Sequence, residues 1–339
     1  MMSPTEDTVD LTSVSDKIAP EDIVDPDLEI IDCHHHLWDG SHLGGSPYFL
    51  DELARDLADG HNIVATVYLE AGSHYLPDGP THLRPVGETV YANAMAEEAI
   101  ARAIPARVCE GIIAHANLDL GEAVDEVLDA HLDAAPSRLR GIRDMVHPDV
   151  LNGVYEDKLQ RLMRPSYRAG MKRLARKGLS MEAMLFDFQL DQLIDAARAV
   201  PDLPIVLNHL GGIFAAGPHE GKRDEKFAQW KDHISQLARL DNVLVKLGGM
   251  GIPVSGYNWD RFNPPSSDQL AEATGRYFHH AIEQFGPDRC MFESNFPVDA
   301  ISGPYRTLWN SFKKIAARYS ETERSALFAG TARCHYRLS

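Results

Sequence analysis

Ile30-Ile31-Asp32-Cys33-His34-His35-His36-Leu37-Trp38-Asp39 is the stretch on which the fold of this chain turns. Its apolar start reads as a buried strand, with three consecutive histidines at the strand's end. Side chains alternate along a strand, so His34 and His36 share one face and His35 takes the other. The same alternation turns Cys33 away from His34 and His36. Two imidazoles at the C-terminal end of a strand can grip one metal ion or one polarised substrate atom. An affinity tag would be terminal and longer, and would lack the strand that precedes these residues.

Outward from this stretch, short apolar runs alternate with amphipathic helical stretches about eight times. The later runs are 63–70, 111–115, 139–143, 181–186, 204–209, 242–247 and 289–294. Helices are expected near 51–59, 88–103, 121–135, 155–177, 190–200, 227–239, 268–285 and 305–319. Crossovers of a dozen or more residues imply parallel strands. Eight such units close by right-handed crossovers into a single-domain (β/α)8 or TIM barrel. A doubly wound sheet is the alternative, but it gives no reason for polar residues at nearly every strand end. Residues 1–27 form an acidic N-terminal arm expected to be flexible, and 28–339 form the barrel. Insertions at 71–87, 210–225 and 248–267 would project from the C-terminal face and shape a pocket there.

The 339 residues are 44% apolar and 24% charged, as in a soluble globular protein. No run reaches the roughly 18 apolar residues of a membrane span. A formal charge of -17 disfavours nucleic acid and anionic membrane as partners, leaving a small molecule. The four cysteines are widely spaced with no Cys-x-x-Cys pair, which suits reduced thiols in a cytoplasm. Oligomeric state is left open, although barrels of this size often associate into homo-oligomers.

In such a barrel the strand C-termini converge on one pocket. They carry His34 and His36, Glu70, His115, Arg143, Asp187, His209, Lys246 and Asn295. His209 closes an apolar run and precedes Gly211 and Gly212, which would let backbone approach a ligand. Arg143 could hold a substrate carboxylate by its planar fork or pair with a structural carboxylate. Lys246 and Glu70 are costly in apolar strands unless paired. A Glu70–Lys246 or Glu70–Arg143 ion pair at the barrel mouth is therefore the plain reading of these residues, with substrate binding beside it.

With these residues assembled, the chain resembles the amidohydrolase superfamily. The nearest branch is that of metal-dependent TIM-barrel hydrolases including sugar-acid lactonases and 2-pyrone-4,6-dicarboxylate lactonase. The likeness rests on 31–38, on Ile205-Val206-Leu207-Asn208-His209-Leu210-Gly211-Gly212, and on Arg289-Cys290-Met291-Phe292-Glu293-Ser294-Asn295-Phe296-Pro297. It implies that His34, His36 and His209 surround the reacting centre and hold a divalent metal, with zinc favoured by imidazole ligands. The strand-eight aspartate of the family, which takes a proton from the attacking water, falls on Asn295. An amide cannot act as a general base, although it can orient water. Asp187, where relatives often carry histidine, could supply the missing carboxylate, with Glu70, Glu293 and Asp299 as the other candidates.

The resemblance implies hydrolysis of a small cyclic ester, a lactone, with Arg143 or Lys246 binding a substrate carboxylate. The metal would polarise the carbonyl or lower the pKa of its water. A metal-free variant, with histidines donating to the carbonyl oxygen, is equally coherent. Two other readings stand beside it: metal-dependent, non-oxidative decarboxylation of an aromatic or muconate-type acid, and a non-catalytic ligand-binding barrel prompted by Asn295.

Overall fold

The computed structural model describes residues 21–40, 46–148, 160–259 and 264–339. Eight strands hydrogen-bond in sequence order, each parallel to the next. They are β1 (Glu29–His35), β2 (Asn62–Leu69), β3 (Arg107–His115), β4 (Leu139–Arg143), β5 (Ser180–Ala183), β6 (Ile205–Leu207), β7 (Val243–Leu247) and β8 (Cys290–Phe292). Beyond β8 the chain returns to β1: Asn295 N donates to His34 O at 2.9 Å and His36 N to Phe296 O at 2.8 Å. The sheet closes into the expected (β/α)8 barrel.

A buried side-chain staple holds the seam. Asp32 accepts from Ser294 N at 3.0 Å, from Ser294 Oγ at 2.6 Å and from Tyr305 OH at 2.9 Å. Burial raises its carboxyl to about 6, while the Ser294 hydrogen bonds oppose that rise.

The principal helices are α1 (Leu50–Leu57), α2 (Val86–Ala101), α3 (Val124–Ala134), α4 (Pro165–Arg176), α5 (Leu190–Ala199), α6 (Arg223–Leu237), α7 (Ser267–Phe285) and α8 (Tyr305–Ala316). Their starts follow local chemistry. Pro165 opens α4, where a missing N–H costs nothing. Ser266 and Gln269 form a reciprocal capping box at α7. Along α8, Tyr305, Leu308, Trp309, Phe312 and Ile315 recur at helical spacing and bury against the barrel. Part of the expected 155–177 helix lies outside the described residues. So do residues 1–20 of the arm. Residues 21–27 pack on the barrel: Ser267 N donates to Glu21 Oε1 at 2.8 Å and Val24 N to Asn310 Oδ1 at 2.9 Å. No described helix is long and apolar enough to cross a membrane.

One register shift alters the reading of the histidine stretch. Asp32 lies opposite Thr66, yet His35 lies opposite Tyr68, so β1 spends three residues against two of β2. This β-bulge breaks strict alternation. Cys33, expected to face away from His34, instead joins the apolar cluster of Ile31, Val67, Leu69, Ile113 and Met291. Its thiol is 3.1 Å from Phe292 O. His35 does point outward, with Nε2 2.8 Å from Thr66 Oγ1.

The structure adds a C-terminal segment that the alternating runs do not announce. Its last helix, Thr331–Tyr336, sits under the starts of the strands: Thr331 Oγ1 bonds Pro287 O, Arg333 pairs with Glu29, and Arg140 Nε donates to Tyr336 O. Tyr336 is fully buried in the same apolar cluster as Cys33. There its hydroxyl donates to Glu182. The other Glu182 oxygen accepts from Asn208 Nδ2 and lies 3.0 Å from Lys246 Nζ. Both charged side chains are wholly buried. Lys246 therefore belongs to a polar plug inside the barrel, where Glu182 rather than Glu70 offsets its charge.

Candidate active site

Bulge, seam and loops converge on the C-terminal mouth. His36 Nδ1 lies 2.9 Å from Leu69 O. A carbonyl only accepts, so Nδ1 carries the proton and Nε2 the lone pair. Trp38 stacks on the His36 ring, with centroids 5.6 Å apart and planes at 9°. His34 Nε2 faces His36 Nε2 at 3.2 Å, and its Nδ1 stands 2.6 Å from Glu293 Oε2. That contact lies off the hydrogen-bond axis, leaving both atoms without an aligned partner.

Burial holds the His34 and His36 imidazoles well below the usual histidine range, reinforced by Lys246 at His34 and by Arg143 at His36. Each ring is therefore neutral. A neutral His34 has one N–H but meets an acceptor on both sides, Glu293 and the His36 lone pair.

Glu293 also organises His209. Its Oε1 accepts from His209 Nδ1 at 2.7 Å and from His209 N at 3.1 Å. Nε2 is left as the nitrogen available to a ligand in the pocket that His209 lines. His209 and Leu210 adopt positive φ values of 53° and 55°. His34 and His209 rings lie 4.6 Å apart. His34, His209 and Glu293 bring one ligand atom each within 4.8 Å of one another.

The remaining strand-end residues divide by partner. Arg143 Nε pairs with Glu70 Oε1 at 2.8 Å, and its Nη2 donates to Glu70 O. Arg143 Nη1 is 3.4 Å from His34 Nε2. The Glu70–Arg143 pair thus lines the mouth. Asn295 Nδ2 donates to Asp299 Oδ1 at 2.8 Å, and Gly251 N donates to Asp299 Oδ2 at 3.1 Å. Asp299 so orients the Asn295 amide, leaving its oxygen as acceptor. Burial raises Asp299 to about 6, opposed first by His209.

Three candidates sit elsewhere. Asp187 pairs with Lys226 Nζ at 2.8 Å and accepts from Phe214 N at 3.3 Å. Its carboxylate thus anchors the loop after β6 and does not line the pocket. Lys246 lies in the plug beneath. His115 Nδ1 is 3.1 Å from Arg143 O, supporting that backbone rather than the pocket. The pocket itself, about 360 Å3, is lined by His36, Arg143, His209 and Asn295 together with Trp38, Ala71, Gly72, Met145, Met184, Ile252 and Val298. Ala71 and Gly72 lie in the expected 71–87 insertion and Ile252 in the 248–267 one, whereas Trp38, Met145, Met184 and Val298 follow four other strands and were marked by no insertion.

Gly248 and Gly249 follow β7 for a steric reason. A Cβ at Gly248 would overlap Glu293, and one at Gly249, where φ is +67°, would overlap the His209 ring. Gly249→Ala is expected to lower turnover by about 100-fold with little change in circular dichroism, since small displacements of a positioned group cost that much. Unaltered kinetics would show that the ring has room to move.

The amidohydrolase family model matches residues 31–338. This chain belongs to the amidohydrolase family. The amidohydrolase is 32% identical to the uncharacterized protein y4mH of Sinorhizobium fredii over 333 residues, covering 92% of this chain and 99% of that one. It is 29% identical to L-fucono-1,5-lactonase of Burkholderia multivorans over 203 residues, 59% of this chain and 63% of the lactonase. A solved amidohydrolase from Burkholderia multivorans with bound Zn superposes with a TM-score of 0.71 at 23% identity, covering 91% of this chain and 99% of that one.

Proposed function

We propose that this amidohydrolase hydrolyses a small cyclic ester, opening a lactone to its hydroxy acid. The observation that carries this reading is the buried Glu293 carboxylate fixed between His34 and the His209 ring that lines the pocket. Glu293 holds the proton on His209 Nδ1, so Nε2 can take a proton from a water attacking the lactone carbonyl. The Asn295 oxygen orients that water, which answers the missing strand-eight aspartate with a histidine base. Arg143 Nη1 supplies a fixed donor beside the histidines for charge developing on the carbonyl oxygen. As the ring C–O bond breaks, His209 returns its proton to the leaving alkoxide. The resemblance to a lactonase over part of the chain supports the same reading.

A divalent ion fits this centre. The His34 and His36 Nε2 atoms, 3.2 Å apart, are better served by a cation than by each other. His34 and His36 are the residues that would hold it through Nε2, with Glu293 behind His34 Nδ1 and His209 Nε2 kept free as the base, and neutral imidazoles suit zinc. Bound there, it would polarise the carbonyl and acidify water.

Incubation of the purified protein with δ-lactones tests the reaction class. Ring opening should appear as a product heavier by one water, with no CO2 released. CO2 release from an aromatic acid without any lactone opening would replace this reading with decarboxylation.

A further inference from the structure

We infer that the substrate is an uncharged lactone with an apolar, alkyl or aryl, body rather than a sugar lactone or a carboxylate-bearing one. The inference rests on the proposed lactone hydrolysis and names its substrate class. Of the polar side chains lining the pocket, His36, Arg143 and His209 gather around His34, where the reacting carbonyl would lie. Among the described residues, the other walls are the side chains of Trp38, Ala71, Met145, Met184, Ile252 and Val298. A polyhydroxylated ring placed among them would leave its hydroxyls without partners, and such unpaired groups are penalised on leaving water.

Charge points the same way. Arg143 is the cation lining the pocket among the described residues, and Glu70 holds both its Nε and its Nη2. The side chains of the pair are 5% and 1% exposed. A substrate carboxylate would have to compete with Glu70 for the guanidinium fork and meet the Glu70 charge as well.

Loops that follow the strands on the mouth side of the barrel also carry exposed apolar side chains. Of the large hydrophobic side chains exposed among the described residues, Tyr75 and Leu76 follow β2 and Phe188 follows β5. Phe188 joins Phe186 at 5.7 Å and Phe214 at 6.2 Å, an aromatic group on the loops after β5 and β6. Aromatic and aliphatic walls with a few fixed polar groups at one end are the form of a site for a hydrophobic body with one polar head.

The test compares three δ-lactones on the full chain: an alkyl-substituted one such as δ-nonalactone, glucono-δ-lactone, and a δ-lactone bearing a ring carboxylate. The alkyl lactone should exceed each of the others in kcat/KM by about 100-fold, the scale on which mismatched polar groups are rejected. Equal or reversed preference would overturn the inference. Titration calorimetry with the three corresponding lactams separates substrate class from reaction. If no lactone is opened, the hydrolase reading falls, while tighter binding of the alkyl lactam still supports the apolar site and tighter binding of another lactam still rejects it. Glu70→Gln, which frees the Arg143 charge, should shift relative binding toward the carboxylate lactam by about 10-fold or more. Met145→Lys adds a cation without disturbing that pair and should shift it likewise; no shift in either variant would contradict the charge reasoning.

Discussion

Glu293→Gln is expected to lower kcat/KM for lactone opening by about 1000-fold or more, with circular dichroism unchanged. The comparable loss of a carboxylate behind a catalytic imidazole is about 10⁴-fold. Glutamine has the size of glutamate, so the barrel wall stays filled. It cannot, however, accept at both oxygens. One face of the amide must turn N–H groups toward His209 Nδ1 or His34 Nδ1, which lie 2.7 and 2.6 Å from the Glu293 oxygens. His209 then loses the fixed tautomer that leaves Nε2 free to take a proton. The same change replaces the carboxylate that stands behind His34 Nδ1, so divalent ion retained per chain should fall in elemental analysis. Turnover within threefold of wild type would mean that Glu293 merely fills space.

Lys246→Met is expected to destabilise the fold more than any change at the mouth. Lys246 and Glu182 are both wholly buried, 3.0 Å apart. Removing one member leaves the other uncompensated, at a cost of about 3–5 kcal/mol. In a domain of this size that corresponds to a fall of roughly 4–7 °C in Tm. Adding Glu182→Gln should recover part of the loss, because glutamine keeps an acceptor for Tyr336 OH without the stranded charge. A single variant as stable as wild type, or a double variant less stable than the single, would show that the pair is not the strut of the plug.

These two residues mark the boundary of what the sequence discloses. The barrel was legible because eight apolar runs separated by helical stretches admit few other closures, and the observed strands fall within or beside those runs. His34, His36, His209, Arg143, Glu70 and Asn295 meet at the mouth because strand ends converge there. Their pairing was not legible. Whether Arg143 or Lys246 meets Glu70 depends on depth in the barrel, and a run such as Val243–Leu247 gives Lys246 no depth. Asp187 misled for a related reason: it stands just past β5, but the chain turns at Phe186 and carries its carboxylate to Lys226. Cys33 was turned inward by a bulge, which depends on β1 and β2 together and has no signal in either alone. Glu182, Asp32 and Tyr336 read as ordinary strand or tail residues until their partners, distant in sequence, are placed beside them.

The most direct test of the hydrolytic centre is kcat/KM of His209→Ala for a lactone that wild type opens, measured with and without added imidazole. His209 carries the base in this account, and general-base removal costs about 100-fold to 10⁴-fold. The expected result is a loss of at least about 100-fold, partly restored by imidazole in the space the side chain vacates. Turnover equal to that of wild type without imidazole would contradict it.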